Sequence, residues 1–112
     1  MNKVKTNELL SKGFVVNNGK WSYKGKLSVI DFYADWCNPC KPQEVVLDEL
    51  SRKYEGIEFF KVNVEEEYEL AELFSIKSLP TIMVCHKETT KFSGFTPKQK
   101  IEDAIKNQEI FV

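Results

Sequence analysis

Two cysteines with two residues between them, Cys37 and Cys40, stand where an apolar run ends and a helical pattern begins. That placement constrains the chain more than any other feature. Upstream, Val29-Ile30-Asp31-Phe32-Tyr33-Ala34 reads as a buried strand carrying one carboxylate. Downstream, Val45, Val46, Leu47, Leu50 and Tyr54 fall at mostly helical spacing. The first cysteine is therefore expected at the mouth of a helix N-terminus and the second one turn in. A Cys-x-x-Cys beside a strand–helix pattern points to redox chemistry. The N–H groups of a helix N-terminus lack intrahelical partners and the dipole is positive there, which favours a thiolate at Cys37. Cys40, further into the helix and more buried, is expected to keep its proton longer. An attack order follows. Cys37 attacks a substrate disulfide, and Cys40 then attacks Cys37 and releases the reduced substrate.

Asp31 is the second candidate. A charged carboxylate inside Val-Ile-Asp-Phe-Tyr is costly to bury, so its proton affinity should rise. Near Cys40 it could take that thiol's proton as the thiol attacks. The alternative is a strand-end aspartate bonded to backbone. Two readings of Lys61 stand side by side: a partner that pairs with Asp31 or steers its titration, and a surface lysine with an apolar stem. Pro80, between Leu79 and Thr81, opens a strand; a cis bond there would present the Leu79 backbone to a bound chain. Trp36 reads as a half-exposed lid over the cysteines. Cys85 reads as a small buried hydrophobe, His86 as a hairpin residue, and Trp21 and Tyr23 as packing residues.

Composition narrows the function classes. With 112 residues the prior is a single domain. A net charge of −1 with mixed-sign charges gives no reason to expect nucleic acid or an anionic membrane as partner. No apolar stretch approaches the roughly 18 residues of a membrane span, and residues 1–12 carry no continuous apolar core of a secretory leader. A cytoplasmic location is expected, or a periplasmic one if a leader has been removed. No metal is expected. Cys85 and His86 are strand neighbours that point to opposite faces, and Glu65, Glu66, Glu67, Glu69 and Glu72 read as a solvated helix face.

Along the chain, Thr6 can cap a short helix through Ser11 that Gly13 stops. Residues 14–23 contain a turn signal, Asn17-Asn18-Gly19. The N-terminal part is either a hairpin or a helix followed by one edge strand. Strands are expected at 27–34, 57–64, 82–85 and 91–93. Helices are expected from Cys40 to about Tyr54, from Glu66 to Phe74, and from Pro97 to about Gln108. This order implies an α/β fold, a central mixed sheet with helices on both faces.

From Val29 to about Ala104 the chain resembles the thioredoxin family. Asp31-Phe32-Tyr33-Ala34-Asp35-Trp36-Cys37-Asn38-Pro39-Cys40-Lys41 matches the family's active-site segment nearly residue for residue. Phe60-Lys61-Val62-Asn63-Val64-Glu65 matches its third strand, Ser78-Leu79-Pro80-Thr81 its cis-proline loop, and Gly94 its late glycine. The resemblance implies a thioredoxin fold and a monomeric protein-disulfide reductase. It implies Cys37 as nucleophile, Cys40 as resolving thiol and Asp31 as buried acid/base, beside which Lys61 is the candidate tuning residue. Trp36, Asn38, Pro39, Leu79 and Pro80 are implied as the substrate-binding surface. It also implies disulfide-containing protein substrates, no bound cofactor, and recharging by a thioredoxin reductase with electrons from NADPH. Four features depart from the family's pattern. They are Asn38 where Gly is usual, Pro42 early in the helix, a short Lys87–Thr90 hairpin without Gly, and a divergent segment 1–27. Oxidants and isomerases on the same fold commonly place His between the cysteines, and a non-catalytic adaptor would be marked by a lost cysteine; neither feature is present.

Overall fold

In the computed structural model, which describes residues 1–109, the elements run β1 (Asn2–Lys3), α1 (Thr6–Leu10), β2 (Phe14–Asn17), β3 (Lys20–Tyr23), β4 (Ser28–Tyr33), α2 (Cys40–Lys53), β5 (Glu58–Asn63), α3 (Tyr68–Leu73), β6 (Thr81–Cys85), β7 (Thr89–Ser93) and α4 (Lys98–Glu109). The last three residues of the 1–112 unit expected from the sequence lie outside the described residues. The apolar run at Val29 becomes the middle strand of a five-stranded sheet ordered β1-β5-β4-β6-β7. β4 pairs in parallel with β5 and antiparallel with β6, and β6 pairs antiparallel with β7. The sheet is mixed, as the element order implies.

Strand alternation sorts the side chains onto two faces. Ile30, Phe32, Phe60, Val62, Met83 and Cys85 pack with Leu9 of α1, Leu70 of α3 and Phe14 of the β2–β3 hairpin. Val29, Phe59, Ile82 and Val84 pack with Leu47 and Leu50 of α2 and Ile101 and Ile105 of α4. Helices therefore cover both faces. Burying one such leucine or isoleucine fully contributes roughly 1.5–3 kcal/mol. Exposed ion pairs such as Lys98–Glu49, at 3.7 Å, contribute under about 1 kcal/mol, so apolar contact fixes α2 and α4 to the sheet. Asp31 has the parity of Val29 and so lies on the α2 face.

The N-terminal segment contains both of the expected alternatives and one surprise. The helix is present, and so is the hairpin, but β2 and β3 form a separate two-stranded sheet rather than an edge of the central one. The edge is taken instead by the two-residue β1, parallel to β5. Phe14, Trp21 and Phe74 stack with ring centroids 4.9–5.7 Å apart, which pins the hairpin over α3. Thr6 does not cap α1. Lys5 precedes the helix, and the Thr6 N–H and Oγ1 both donate to Glu67 Oε1 at 2.9 Å, tying α1 to the start of α3. Val45, read as part of the apolar face of α2, points to solvent.

Gly13 stops α1 with φ +131°, and a Cβ there would meet the Gly25 nitrogen at 2.5 Å. Gly13→Ala is therefore expected to lower stability by at least about 1 kcal/mol, measured as a lower urea midpoint with an unchanged m-value.

Candidate active site

Strand register brings four loops to one end of the sheet. Phe32 pairs with Thr81, Tyr33 with Asn63, and Thr81 with Ser93. The segments that follow β4, β5 and β7 and the one that precedes β6 therefore converge. They carry Cys37, Val64, Gly94 and Pro80. Ligand sites in sheets of this kind form at the carboxyl ends of the parallel strands.

Cys37 and Cys40 are joined in a disulfide with Cα atoms 5.4 Å apart. Cys40 is the first residue of α2, so it opens the helix rather than lying one turn in. The reason is local: the Cys40 N–H donates to Cys37 O and the Lys41 N–H to Asn38 O, so residues 37–41 form a tight turn ahead of the regular ladder. Burial does not separate the two cysteines in this disulfide state, at 3% and 4% exposed. What separates them is the helix end. Pro39, the residue before α2, makes no side-chain cap, and the first turn has no acidic residue. No acidic side chain of that first turn offsets the positive end of the helix dipole, just after Cys37 in the chain. Pro42 falls in that first turn, where a missing N–H costs no intrahelical bond, and α2 continues past it to Lys53.

The disulfide packs against Ala34, Tyr33, Val64 and Leu79. Trp36 beside it is 66% exposed. A groove of about 310 Å³ runs from Trp36 along Val64, Ala71, Ile76 and Leu79. The Leu79–Pro80 bond is cis, and Pro80 O accepts the Gly94 N–H at 2.8 Å. Phe95, next in the chain, is 46% exposed. The wall of this region is braced by Gln43, fully buried, whose amide accepts from Thr96 N–H at 2.7 Å and donates to Thr96 O at 3.0 Å. The cysteine helix and the Gly94–Thr96 loop are thus clamped together.

Asp31 is 1% exposed, and its Oδ1 finds no hydrogen-bond partner among the described residues. Burial, with help from the Glu44 and Asp48 charges, pushes its carboxyl from 3.8 up to about 7, against the pull of Lys61. Lys61 is its register partner on β5, yet it does not pair with Asp31. Its ammonium reaches across to Glu44 Oε1 on α2, 2.7 Å away, and lies 5.6 Å from the Tyr33 ring centroid. A smaller recess of about 160 Å³ is lined by Tyr33, Cys37, Cys40, Lys41 and Glu44. A larger one, about 770 Å³, lies between α1 and the β1–β5 edge. It holds neither cysteine, and its lysines are occupied: Lys3 by Glu66, Lys12 by Glu58 and Lys61 by Glu44.

Cys85 is fully buried on the other face of the sheet, and burial pushes its thiol up to about 12. Glu65, Glu66, Glu69 and Glu72 are exposed, while Glu67 turns inward to Thr6. Sequence reasoning missed Glu44, Gln43 and Phe95. Glu44 could have been found from helical spacing, since it lies one turn after Cys40 on the same side of α2. Nothing in the sequence marks Thr96 as the partner of Gln43.

The model of the family described as "Thioredoxin" matches residues 15–107 of the chain. A thioredoxin of Borreliella burgdorferi is 38% identical over 95 residues, covering 81% of each chain. Thioredoxin 1 of a Nostoc species is 42% identical over 80 residues, covering 69% of this chain and 75% of the relative. Among solved structures, a thioredoxin of Fasciola hepatica superposes with a TM-score of 0.77 at 29% identity, over 96% of this chain and 99% of the other.

Proposed function

The chain belongs to the thioredoxin family and is a thiol–disulfide oxidoreductase acting on protein disulfides, and from that premise we propose how its residues divide the work and in which direction it runs. The carrying observation is the Cys37–Cys40 disulfide at the uncapped end of α2, beside an exposed tryptophan and an apolar groove.

In the reduced protein the helix end favours the Cys37 thiolate. This sulfur attacks one sulfur of a substrate disulfide; a Cys37–substrate disulfide forms, and the other substrate sulfur leaves as a thiolate and takes a proton. The Cys40 thiol then gives its proton to the Asp31 carboxylate and attacks the Cys37 sulfur. The mixed disulfide breaks, the second substrate sulfur leaves as a thiolate and takes a proton as Asp31 releases the one it accepted, and the Cys37–Cys40 disulfide remains. Two electrons have passed to the substrate, which becomes a dithiol. Trp36, Asn38, Pro39, Leu79 and Pro80 form the surface that holds the substrate chain during the exchange. Asn38 is uncharged and adds no His-like stabilisation of the thiolate, which supports a reducing rather than an oxidising direction.

Members of the family are reduced by thioredoxin reductase. The same supply of electrons, from NADPH through such a reductase, closes the cycle here, with the protein itself working as a monomer in a reducing, cytoplasmic setting. Among the described residues no helix is long and apolar enough to cross a membrane.

The test is alkylation of the reduced protein near neutral pH, read by mass spectrometry of peptides. Cys37 is expected to react at least about tenfold faster than Cys40, in proportion to its thiolate fraction, and buried Cys85 to remain unmodified. Equal rates at Cys37 and Cys40 would overturn the attack order.

A further inference from the structure

Glu44 has no place in the exchange described above, yet it sits where two of its features meet. It lines the recess that holds both cysteines, and its Oε1 takes the Lys61 ammonium at 2.7 Å. Lys61 is the register partner of Asp31 on the neighbouring parallel strand, so the two side chains leave the same face of the sheet side by side. A lysine in that position is long enough to lie along Asp31. It leans instead toward α2, between Glu44 and the Tyr33 ring, and the Asp31 Oδ1 is left with no hydrogen-bond partner among the described residues.

We propose that Glu44 is a positioning residue that sets the proton affinity of Asp31 by anchoring the Lys61 ammonium against α2. The proposal rests on the reading of Asp31 as proton acceptor for Cys40. Two effects of Glu44 have the same sign. It draws the cation away from Asp31, and it places a second negative charge on the α2 side. Both favour the protonated carboxyl, in line with the upward push that Glu44 exerts on Asp31.

Most of the other charged groups on the elements packed around Asp31 are held by partners of their own. On α2, Asp48 holds the Met1 amino group at 3.3 Å, and Lys41 lines the recess. On α4, Glu102 is taken by Lys53 and Tyr54, each at 2.7 Å. On β1, Lys3 is held by Glu66 at 2.6 Å. β6 presents only Ile82 opposite Asp31, and β4 adds Tyr33 two residues on. Among these groups, Lys61 is the cation that stands in register with Asp31 and is held by Glu44.

The test is a carboxyl-carbon NMR titration of Asp31 in the oxidised protein. It compares the unaltered chain with Glu44→Gln, Lys61→Met and the double variant. Glu44→Gln is expected to lower the Asp31 midpoint by about 1 pH unit, the low end of what an opposite charge at close range produces. In the Lys61→Met background the same substitution is expected to move it by less than half as much. An unmoved midpoint in Glu44→Gln would overturn the proposal, and so would an equal shift in both backgrounds. The pH profile of mixed-disulfide resolution, measured on the same variants, separates this inference from the reading beneath it. A midpoint that moves while the resolution profile stays fixed upholds the placement of Glu44 and removes instead the acid–base role of Asp31.

Discussion

Asp31→Asn is expected to stabilise the oxidised protein at pH 8 by about 2–4 kcal/mol while slowing its chemistry. The carboxyl holds its proton in the folded state up to about 7, against 3.8 as its ordinary value. Between those two pH values the folded protein retains a proton that the unfolded chain has lost, so stability falls as pH rises through the window. Above it both states are ionised and the penalty stays constant. At about 1.4 kcal/mol per pH unit, the span from 3.8 to about 7 gives an upper figure of about 4 kcal/mol. Asparagine keeps the shape and removes the charge, so the gain is full above pH 7 and vanishes below pH 4. Urea denaturation at pH 4 and pH 8 measures it, and equal effects at the two pH values would contradict a buried charge as the cause. The kinetic price is on the resolving step. Without an acceptor for its proton, Cys40 should attack on the order of 10²-fold more slowly near neutral pH, with the gap narrowing as solvent hydroxide takes over in alkali. Stopped-flow reduction of a preformed mixed disulfide reads this directly.

Cys40→Ser is expected to turn catalysis into trapping. Cys37 can still attack, but no sulfur remains to resolve the product, so turnover should cease and a covalent complex with substrate should accumulate. Cys37→Ser should abolish turnover without forming any such complex. Non-reducing gel electrophoresis against a disulfide-bonded protein, followed by peptide mapping, distinguishes the two. A complex formed through Cys40 in the Cys37→Ser variant, at a rate matching that through Cys37, would reverse the assignment of the two cysteines.

The parts of the fold that could be read in advance are those governed by local pattern. The apolar run at Val29 is near-continuous because β4 is covered on both faces, and that character is visible without coordinates. The α2 face made by Leu47 and Leu50 follows from helical spacing in the same way. The N-terminal segment was harder because its structure depends on distant partners. Thr6 has the chemistry of a cap, but Glu67, 61 positions on, claims both its donors. Trp21 and Tyr23 alternate like any strand, and the contacts of Phe14 and Trp21 with Phe74 show that the hairpin packs over α3 instead of joining the main sheet.

The active site divides along the same line. Cys37, Cys40 and Trp36 are contiguous, so the sequence displays them together. Asp31 announces itself as a carboxylate in an apolar run. Its relation to Lys61 was half legible: strand pairing puts them side by side, but whether they pair depends on a third residue from another element. Glu44 decides it, by offering the ammonium a carboxylate on the partly exposed side of α2 where both remain in reach of water. A buried Asp31–Lys61 pair would have to desolvate both charges.

The central claim is that Cys37 and Cys40 form a reducing couple. The most direct measurement is the reduction potential of that pair, by equilibration against a thiol redox buffer with the oxidised and reduced forms separated after acid quenching. Thioredoxins lie near about −270 mV, and the strongest disulfide donors on related folds near about −120 mV. A value close to the first is predicted, with Asn38 accommodated between the cysteines. A value close to the second would contradict the account, because the protein would then hold its thiols too tightly to reduce substrates and would donate its disulfide instead.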